Sequence, residues 1–229
     1  MKNILITGAS GNLGQATVKK FLSEGHRVIA TVTRGNGLPF KASGELVTFE
    51  VDLSNEGGVN TLINDINARY GSIDAALLLV GGWAGGTIHD TDGAALKKMY
   101  SLNFETAYFV ARPVFKQMMQ QPAGGRIVFI GARPALSAKD GKNSLGYGLS
   151  KSLLFKLAEY LNAEAAQKNV VASVVVPSTI DTAANRTAMP TADFNAWVKP
   201  EAIADVMSFL VSDESAALRE PVVKVYGNS

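Results

Sequence analysis

The sequence contains 229 residues, 47% of them hydrophobic, which suits a single domain with one large core. Its 22 basic and 20 acidic side chains give a formal net charge of +2 without long charged runs, a pattern that argues against nucleic-acid binding. The chain has no cysteine, which excludes disulfides, thiolate metal ligands and a cysteine nucleophile.

Signals for metals and membranes are also weak. The two histidines, His26 and His89, lie far apart in the sequence, so we expect them at the surface and expect no metal site. The apolar run that follows residues 1–3 is too short for a signal peptide, and no run approaches the ~18 apolar residues of a membrane span. We therefore expect a cytoplasmic protein that binds a small molecule.

Short apolar runs alternate with segments of helical period along the chain. The predicted strands cover residues 4–6, 28–32, 46–51, 75–80, 126–130, 170–176 and 222–226. The predicted helices cover residues 13–23, 59–70, 94–119, 149–166 and 201–210. Because the strands are apolar without alternation, helices should cover both faces of the sheet. The pattern predicts an α/β fold: a doubly wound parallel sheet of about seven strands, in a single domain covering residues 1–229.

A glycine-rich segment, residues 7–14 (TGASGNLG), joins the first predicted strand to the first helix. Its glycines allow a tight turn, a close approach of the backbone to a pyrophosphate, and close packing of helix on strand. The helix N-terminus then offers amide donors to that anion. The segment indicates a Rossmann-type dinucleotide site, with these residues as cofactor contacts: Gly8, Ser10, Gly11, Asn12, Leu13 and Gly14.

Tyr147 and Lys151 lie four residues apart, so both face one side of a helix, where the ammonium would favour the phenolate and lower the tyrosine pKa. Together with the glycine segment, this pair resembles the short-chain dehydrogenase/reductase family over essentially the whole chain. The resemblance implies that Tyr147 and Lys151 are catalytic. It also implies that Asn103, within Ser101-Leu102-Asn103, supports a water chain to the lysine.

The same resemblance implies the remaining contacts with a nicotinamide dinucleotide. Asp52 and Leu53 follow the third predicted strand, where the family contacts adenine. The other implied contacts are Gly81 and Gly82 in the turn beside the cofactor, Lys151 at the nicotinamide ribose, and Pro177, Ile180 and Thr182 near the carboxamide.

The end of the second predicted strand bears on the choice of cofactor. An acidic side chain there would accept hydrogen bonds from the ribose 2′-hydroxyl, whereas an arginine would pair with a 2′-phosphate. Thr33 and Arg34 occupy this position, so the sequence favours NADP(H) over NAD(H). Arg34 as an ordinary solvated surface residue is the alternative.

The family commonly has a serine after the fifth strand, and this chain has Gly131 and Ala132 there. Ala132 precedes Tyr147 by fifteen residues, slightly more than is usual, which implies a small insertion within residues 133–144. Ser137 or Ser144 is a possible replacement for the missing hydroxyl.

Several departures from the general pattern resemble the dihydropteridine reductase branch of the family. The segments are 81–86 (GGWAGG), 131–136 (GARPAL), 146–151 (GYGLSK), 181–186 (DTAANR) and 189–194 (MPTADF). The branch lacks the serine, and its tryptophan borders the pterin. The resemblance implies that Trp83, Ala132, Tyr147 and Met189 contact substrate; Trp83 as a structural turn residue is the alternative.

A chemical argument supports this branch. A ketone needs its developing alkoxide stabilised, whereas a quinonoid dihydropterin is electron-poor and is protonated on nitrogen. We therefore predict hydride transfer to such an acceptor with Tyr147 as proton donor. A broad-range NADPH-dependent carbonyl or quinone reductase is the first alternative, and a non-catalytic nucleotide-sensing protein of the same fold is the second.

Two further expectations concern the surface. Residues 178–199 contain Pro190, small polar residues and isolated apolar side chains without a clear period, which is typical of a substrate lid. The predicted helices 94–119 and 149–166 carry apolar residues on more than one face, and in the family such helices pair between subunits. We expect a homodimer or homotetramer.

Overall fold

Seven parallel strands form the central sheet of the protein. The computed structural model describes residues 1–39, 41 and 45–228. The strands are β1 (Asn3–Thr7), β2 (Arg27–Val32), β3 (Leu46–Glu50), β4 (Ala75–Leu78), β5 (Gly125–Ile130), β6 (Val170–Pro177) and β7 (Val222–Val225). Their order is β3-β2-β1-β4-β5-β6-β7, and every neighbouring pair is parallel. The predicted doubly wound, single-domain Rossmann-type fold is confirmed.

Helices cover both faces of this sheet. They are α1 (Asn12–Ser23), α2 (Glu56–Tyr70), α3 (Gly93–Tyr100), α4 (Thr106–Met118), α5 (Arg133–Leu136), α6 (Ala138–Gly141), α7 (Leu145–Glu164), α8 (Ala183–Ala188) and α9 (Pro200–Val211). Phe21 of α1 and Met207 of α9 belong to one buried layer, whereas Ile63 of α2, Val114 of α4 and Leu154 of α7 belong to the other. No helix within the described residues has the length and apolar character that crossing a membrane requires.

The strand order fixes where a ligand can enter. The chain progresses outward from β1 to β3 in one direction and from β4 to β7 in the other, so a crevice opens between the carboxyl ends of β1 and β4. Gly8 follows β1, and a Cβ on it would lie 3.0 Å from Cγ2 of Val80, which follows β4. The two strand ends therefore approach closely at the point where the topology predicts a ligand.

The predicted helix over residues 94–119 is wrong as a single α-helix. The chain forms α3, then a π-helical turn at Ser101–Glu105, then α4. A π-helical turn accommodates an extra residue and changes which side chains face inward, and periodicity alone does not reveal it. The prediction for residues 149–166 was also too short at its start, because α7 begins at Leu145 and includes Tyr147.

Two segments that the sequence left without regular structure contain short helices. The insertion expected within residues 133–144 forms α5 and α6. Residues 178–199 contain α8 and a 3-10 turn at Phe194–Ala196, and Ile180 pairs with Val198 in a parallel bridge across the base of the segment. Both segments leave the carboxyl edge of the sheet, where the candidate site lies.

Candidate active site

The glycine segment folds as its spacing predicts. Gly8 has a φ of +65°, a left-handed conformation that a residue with a Cβ adopts only under strain. A Cβ on Gly14 would lie 2.2 Å from the carbonyl oxygen of Gly8, so only glycine allows α1 to pack this closely on the loop. Ser10, Gly11, Asn12 and Leu13 are partly or fully exposed at the start of α1. The helix thus presents its N-terminal amides to the crevice.

A cavity of about 420 Å³ lies in the crevice. Four residues predicted from the sequence line it: Gly8, Thr33, Asp52 and Leu53. Residues that sequence reasoning missed complete the lining: Thr31, Val32, Val51, Ser54, Val80, Lys98, Ser101, Leu102 and Thr106. Of these, Lys98 lies on α3, Ser101 and Leu102 on the π-helical turn, and Thr106 on α4. Their helical spacing around Asn103 is the sequence signal that could have indicated a helix beside the cavity.

Two predicted contacts of the adenosine half differ in their surroundings. Asp52 Oδ1 accepts hydrogen bonds from the backbone nitrogen of Ser54 at 2.9 Å and from its hydroxyl at 2.7 Å, and these bonds lower the carboxyl pKa. Asp52 Oδ2 takes part in neither bond. Arg34 lies exposed in the turn after β2, does not line the cavity, and forms no ion pair with any described residue.

Lys151 carries its amine into the interior. The residue is 4% exposed, and Nζ donates a hydrogen bond of 2.8 Å to the carbonyl oxygen of Ile130, the last residue of β5. Burial lowers the pKa of Lys151 to about 8. This bond brings the amine to the strand end that Gly131 and Ala132 follow, so α7 and β5 meet at one point.

Tyr147 behaves differently from the expectation based on its spacing. Burial raises the pKa of Tyr147 to about 12, and the ammonium of Lys151 contributes no opposing effect. The expected lowering of the tyrosine pKa by Lys151 is therefore not found in this arrangement. Desolvation of the phenolate is the cause of the raised pKa, and the Lys151 amine directs its hydrogen bond to the Ile130 oxygen instead. Tyr147 is protonated at neutral pH.

Asn103 lies in the π-helical turn and is completely buried. Its Oδ1 accepts a hydrogen bond of 2.9 Å from the Gly82 nitrogen, and its Nδ2 donates to the Gly82 oxygen at 3.0 Å and to Ser150 Oγ at 3.1 Å. Ser150, which the sequence analysis did not single out, donates in turn to the carbonyl oxygen of Tyr147 at 2.9 Å. Asn103 thus fastens the turn after β4 to the helix that carries Tyr147.

Gly81 lies between Asn103 and the buried amine. A Cβ on Gly81 would lie 2.7 Å from Asn103 Oδ1 and 2.8 Å from Lys151 Nζ. Contacts below 3.0 Å essentially never occur for a real Cβ, so glycine is required for both side chains to hold their places. Asn103 and Lys151 therefore meet at this glycine, and Tyr147 is connected to Asn103 through Ser150.

The residues predicted to contact substrate differ in exposure. Ala132 lies two residues beyond the end of β5, is 3% exposed and stands at the N-cap of α5. Trp83 is 69% exposed, and its ring lies over Gly85, where a Cβ would meet Cη2 at 3.2 Å. Met189 is 40% exposed at the end of α8. The buried alanine gives the strand end an apolar surface without a hydroxyl.

Several side chains of the 178–199 segment contact one another. Arg186 makes two bonds to Asp181, of 2.6 and 2.8 Å, and its guanidinium lies 4.7 Å from the centre of the Phe194 ring. The rings of Phe194 and Trp197 lie 4.9 Å apart. These two aromatic residues pack on their own segment and are partly buried, whereas the apolar side chain of Met189 is exposed.

The predicted carboxamide contacts follow β6 at the same edge of the sheet. Pro177 is buried, and Ile180 and Thr182 are partly exposed. The Thr182 hydroxyl accepts a hydrogen bond of 3.2 Å from the Asn185 nitrogen and caps α8. A polar cavity of about 340 Å³ joins Thr182 to the first turn of α1, including Asn12.

The close approach at Gly81 yields a first prediction. Gly81→Ala should displace Lys151 or Asn103, lowering the free energy of unfolding by about 1–3 kcal/mol and weakening NADPH binding roughly 10-fold. Urea denaturation and a fluorescence titration measure the two effects. Gly93→Ala at the start of α3 is the matched control, because no heavy atom lies within 4 Å of its added Cβ. Equal stability and equal NADPH affinity in the two variants would contradict the prediction.

Burial of Lys151 yields a pH prediction. Because its pKa falls from 10.5 to about 8 on folding, the folded protein loses this proton first as the pH rises between those values. The free energy of unfolding should therefore rise over this window by up to about 3 kcal/mol from this group. Urea denaturation at pH 7.5 and 9.5 tests this against Lys151→Met, which should lack the rise. Lys168→Met, at an exposed lysine, should retain it; a rise that persists in Lys151→Met would be inconsistent with the assignment.

Comparison with known proteins agrees with this geometry. The family model described as short chain dehydrogenase matches residues 2–193. An uncharacterized oxidoreductase, YuxG of Bacillus subtilis, is 31% identical over 192 residues, and the match covers 78% of this chain but 27% of that longer protein. A dihydropteridine reductase of Dictyostelium discoideum is 28% identical over 207 residues, covering 89% of this chain and 85% of that protein.

A solved structure shares the fold over nearly its whole length. The structure of ElxO with NADP bound superposes with a TM-score of 0.90 at 22% sequence identity, covering 99% of this chain and 97% of that one. The family match extends from the glycine segment through α7 to residue 193, and so includes each predicted catalytic residue. The chain therefore belongs to the short chain dehydrogenase family of nicotinamide-dependent oxidoreductases.

Proposed function

We propose that this protein reduces an electron-poor conjugated acceptor, such as a quinonoid dihydropterin, with NADPH as hydride donor and Tyr147 as proton donor. The observation that carries the proposal is Ala132. The family's usual serine hydroxyl is missing from the end of β5, and a buried methyl group takes its place. A site without this donor stabilises a developing alkoxide poorly, but it suits an acceptor that is protonated on nitrogen.

The surroundings of the crevice fit a dinucleotide. Gly8 and Gly14 allow the closely packed loop that a pyrophosphate needs, and Asp52 and Leu53 line the cavity beyond it. A bound nicotinamide would supply the hydride. Ile180 and Thr182, at the carboxyl edge of β6, are suited to hold its carboxamide, and Lys151 to bind the ribose.

The proton chemistry follows from the two perturbed groups. With pKa values of about 12 and about 8, Tyr147 and Lys151 both carry protons at neutral pH. Tyr147 thus starts as a proton donor, and burial opposes the phenolate that donation leaves behind. Asn103 positions the pair through Gly82 and Ser150.

Trp83 and Met189 are the other proposed substrate contacts. Trp83 offers an exposed aromatic face on the turn that Asn103 fastens, and Met189 offers a flexible apolar side chain on the 178–199 segment. We propose that this segment closes over the acceptor as a lid. The likeness to the Dictyostelium dihydropteridine reductase supports the same substrate class.

We also propose NADP(H) as the preferred cofactor. Thr33 lines the cavity and Arg34 follows it, so no carboxylate at this strand end would repel a 2′-phosphate. Because Arg34 pairs with no described carboxylate, its guanidinium is available for a phosphate.

Assembly into a homodimer or homotetramer is part of the proposal. Apolar side chains stay exposed on α4 and α7: Tyr108 is 37% exposed, Leu149 49% and Leu153 37%. Burial of these side chains against a second copy would remove apolar area from water.

The substrate proposal predicts that wild-type protein turns over quinonoid dihydropterin faster than plain ketones. Tyr147→Phe should lower kcat at least ~100-fold, because the proton donor is removed, while the dissociation constant for NADPH stays unchanged. Initial rates across a panel of dihydropterin, quinones, diketones and aldehydes give the measurement. Tyr160→Phe is the matched control, since Tyr160 lies on the same helix and is 68% exposed.

Three other results would contradict the substrate proposal. Unchanged turnover in Tyr147→Phe would remove the tyrosine from the mechanism. Faster reduction of ketones or quinones than of dihydropterin would favour a broad carbonyl or quinone reductase. NADPH binding without turnover of any acceptor would favour a nucleotide-sensing protein.

The cofactor proposal predicts that Arg34→Ala weakens NADPH about 10- to 100-fold, because a charge-assisted phosphate contact is lost, and changes NADH binding little. Isothermal titration with both nucleotides measures this. Lys168→Ala removes an exposed positive charge before β6, at the opposite edge of the sheet, and should change neither affinity. A wild-type protein that binds NADH more tightly than NADPH would overturn the proposal.

A further inference from the structure

Ser144 carries a buried hydroxyl that the fold does not use. The residue is 4% exposed and occupies the N-cap of α7. A serine in this position normally accepts a hydrogen bond from the first turn of its helix. Here the backbone has φ −147° and ψ 52°, and the side chain makes no capping bond. Nor does the hydroxyl pair with any other described residue.

The other possible replacement for the family's serine is occupied. Ser137 Oγ accepts a hydrogen bond of 3.3 Å from the Asp140 nitrogen and caps α6. Ser137 and Ser144 thus lie at the N-caps of successive helices in one loop, and they differ in whether the cap is made. The unused hydroxyl is the buried one that immediately precedes the catalytic helix.

The Ser144 hydroxyl is not sealed inside the protein. Among the described residues, the side-chain atoms that are both fully enclosed and unpaired are Asn67 Oδ1 and Gln117 Oε1. Ser144 Oγ also lacks a partner but is not one of them, so it retains a small contact with solvent. A buried hydroxyl without a partner is costly unless water or a ligand reaches it.

Ser144 precedes the proposed proton donor, Tyr147, by three residues at the start of the same helix. Ser144 is the N-cap, three residues before Tyr147 and seven before Lys151, so its backbone lies at the start of the helical face that carries both side chains. Long side chains on a helix lean toward its N-terminus, so Tyr147 extends over the turn that contains Ser144. The small solvent contact of Ser144 therefore lies at the start of the helix that carries Tyr147 and Lys151.

The turn that carries Trp83 is fastened to the same point. The Gly86 nitrogen donates 2.9 Å to the Asn143 oxygen, the Leu145 nitrogen donates 2.9 Å to the Gly86 oxygen, and Gly86 and Ser144 form a parallel bridge. Ser144 is thus held between the Trp83 turn and the start of α7. These two elements form the proposed substrate site.

We infer that Ser144 is a substrate-binding residue that donates a hydrogen bond to a carbonyl oxygen or ring nitrogen of the acceptor. The inference rests on the proposed function and deepens it, since it selects acceptors with a polar atom close to the reacting centre. Ser144 keeps its proton: the acceptor gains a hydride from NADPH and a proton from Tyr147, and NADP⁺ is released.

The test compares Ser144→Ala with Ser137→Ala. Ser144→Ala should lower kcat/KM for the best acceptor by about 10-fold or more, since one donor to the substrate is lost, with NADPH affinity and melting temperature unchanged. Ser137→Ala should lower the melting temperature through its lost cap and leave kcat/KM unchanged. The opposite pattern, in which Ser144→Ala changes stability but not kcat/KM, would overturn the inference.

Two further measurements keep the inference separate from the substrate proposal. If wild-type protein reduces an ortho-quinone but no dihydropterin, the substrate proposal fails, and Ser144→Ala is compared on the quinone. Quenching of tryptophan fluorescence by tetrahydropterin or by the catechol product, with NADP⁺ present, reports binding without turnover. Equal product affinity and equal kcat/KM in wild type and Ser144→Ala would refute the role of Ser144, whereas a 10-fold weaker complex supports it.

Discussion

The buried ammonium of Lys151 constrains the structure around it. Placing a charged amine in the protein interior is unfavourable unless it is hydrogen-bonded, and here the Ile130 carbonyl supplies the bond. Burial nevertheless lowers the pKa of Lys151 to about 8, because removal from water disfavours the charged form. The amine fits only because residue 81 has no side chain. The buried amine thus requires the Ile130 carbonyl at the end of β5 and a glycine at position 81.

Asn103 extends this constraint to the rest of the site. By bonding both backbone groups of Gly82, it satisfies a turn that has left the sheet after β4. The π-helical turn makes this possible because its extra residue changes the register between α3 and α4. Lys98 of α3 can then line the cavity while Val114 of α4 packs in the core. A regular helix through residues 94–119 would not combine these two orientations as easily.

The sequence was sufficient for features that depend on local chemistry. Continuous apolar runs predicted the seven parallel strands, and the spacing of Gly8, Gly11 and Gly14 predicted the turn into α1. Features that arise from contacts between distant segments were missed. The π-helical turn accompanies the pairing of Asn103 with Gly82, and the raised pKa of Tyr147 follows from burial that only the folded chain has.

The loop between β5 and α7 contains two N-caps that are unusual in opposite ways. Ala132 caps α5 without a hydroxyl, although serine at an N-cap commonly stabilises a helix by about 1 kcal/mol over alanine. Ser144 has the hydroxyl but does not cap α7. A serine at 132 would bring its oxygen to the end of β5 beside Lys151, whereas Ser144 holds one beside the Trp83 turn. The loop therefore has its hydroxyl at Ser144, beside the Trp83 turn, and not at residue 132. A hydroxyl in that place would meet the edge of a flat acceptor rather than a ketone oxygen at the reacting carbon.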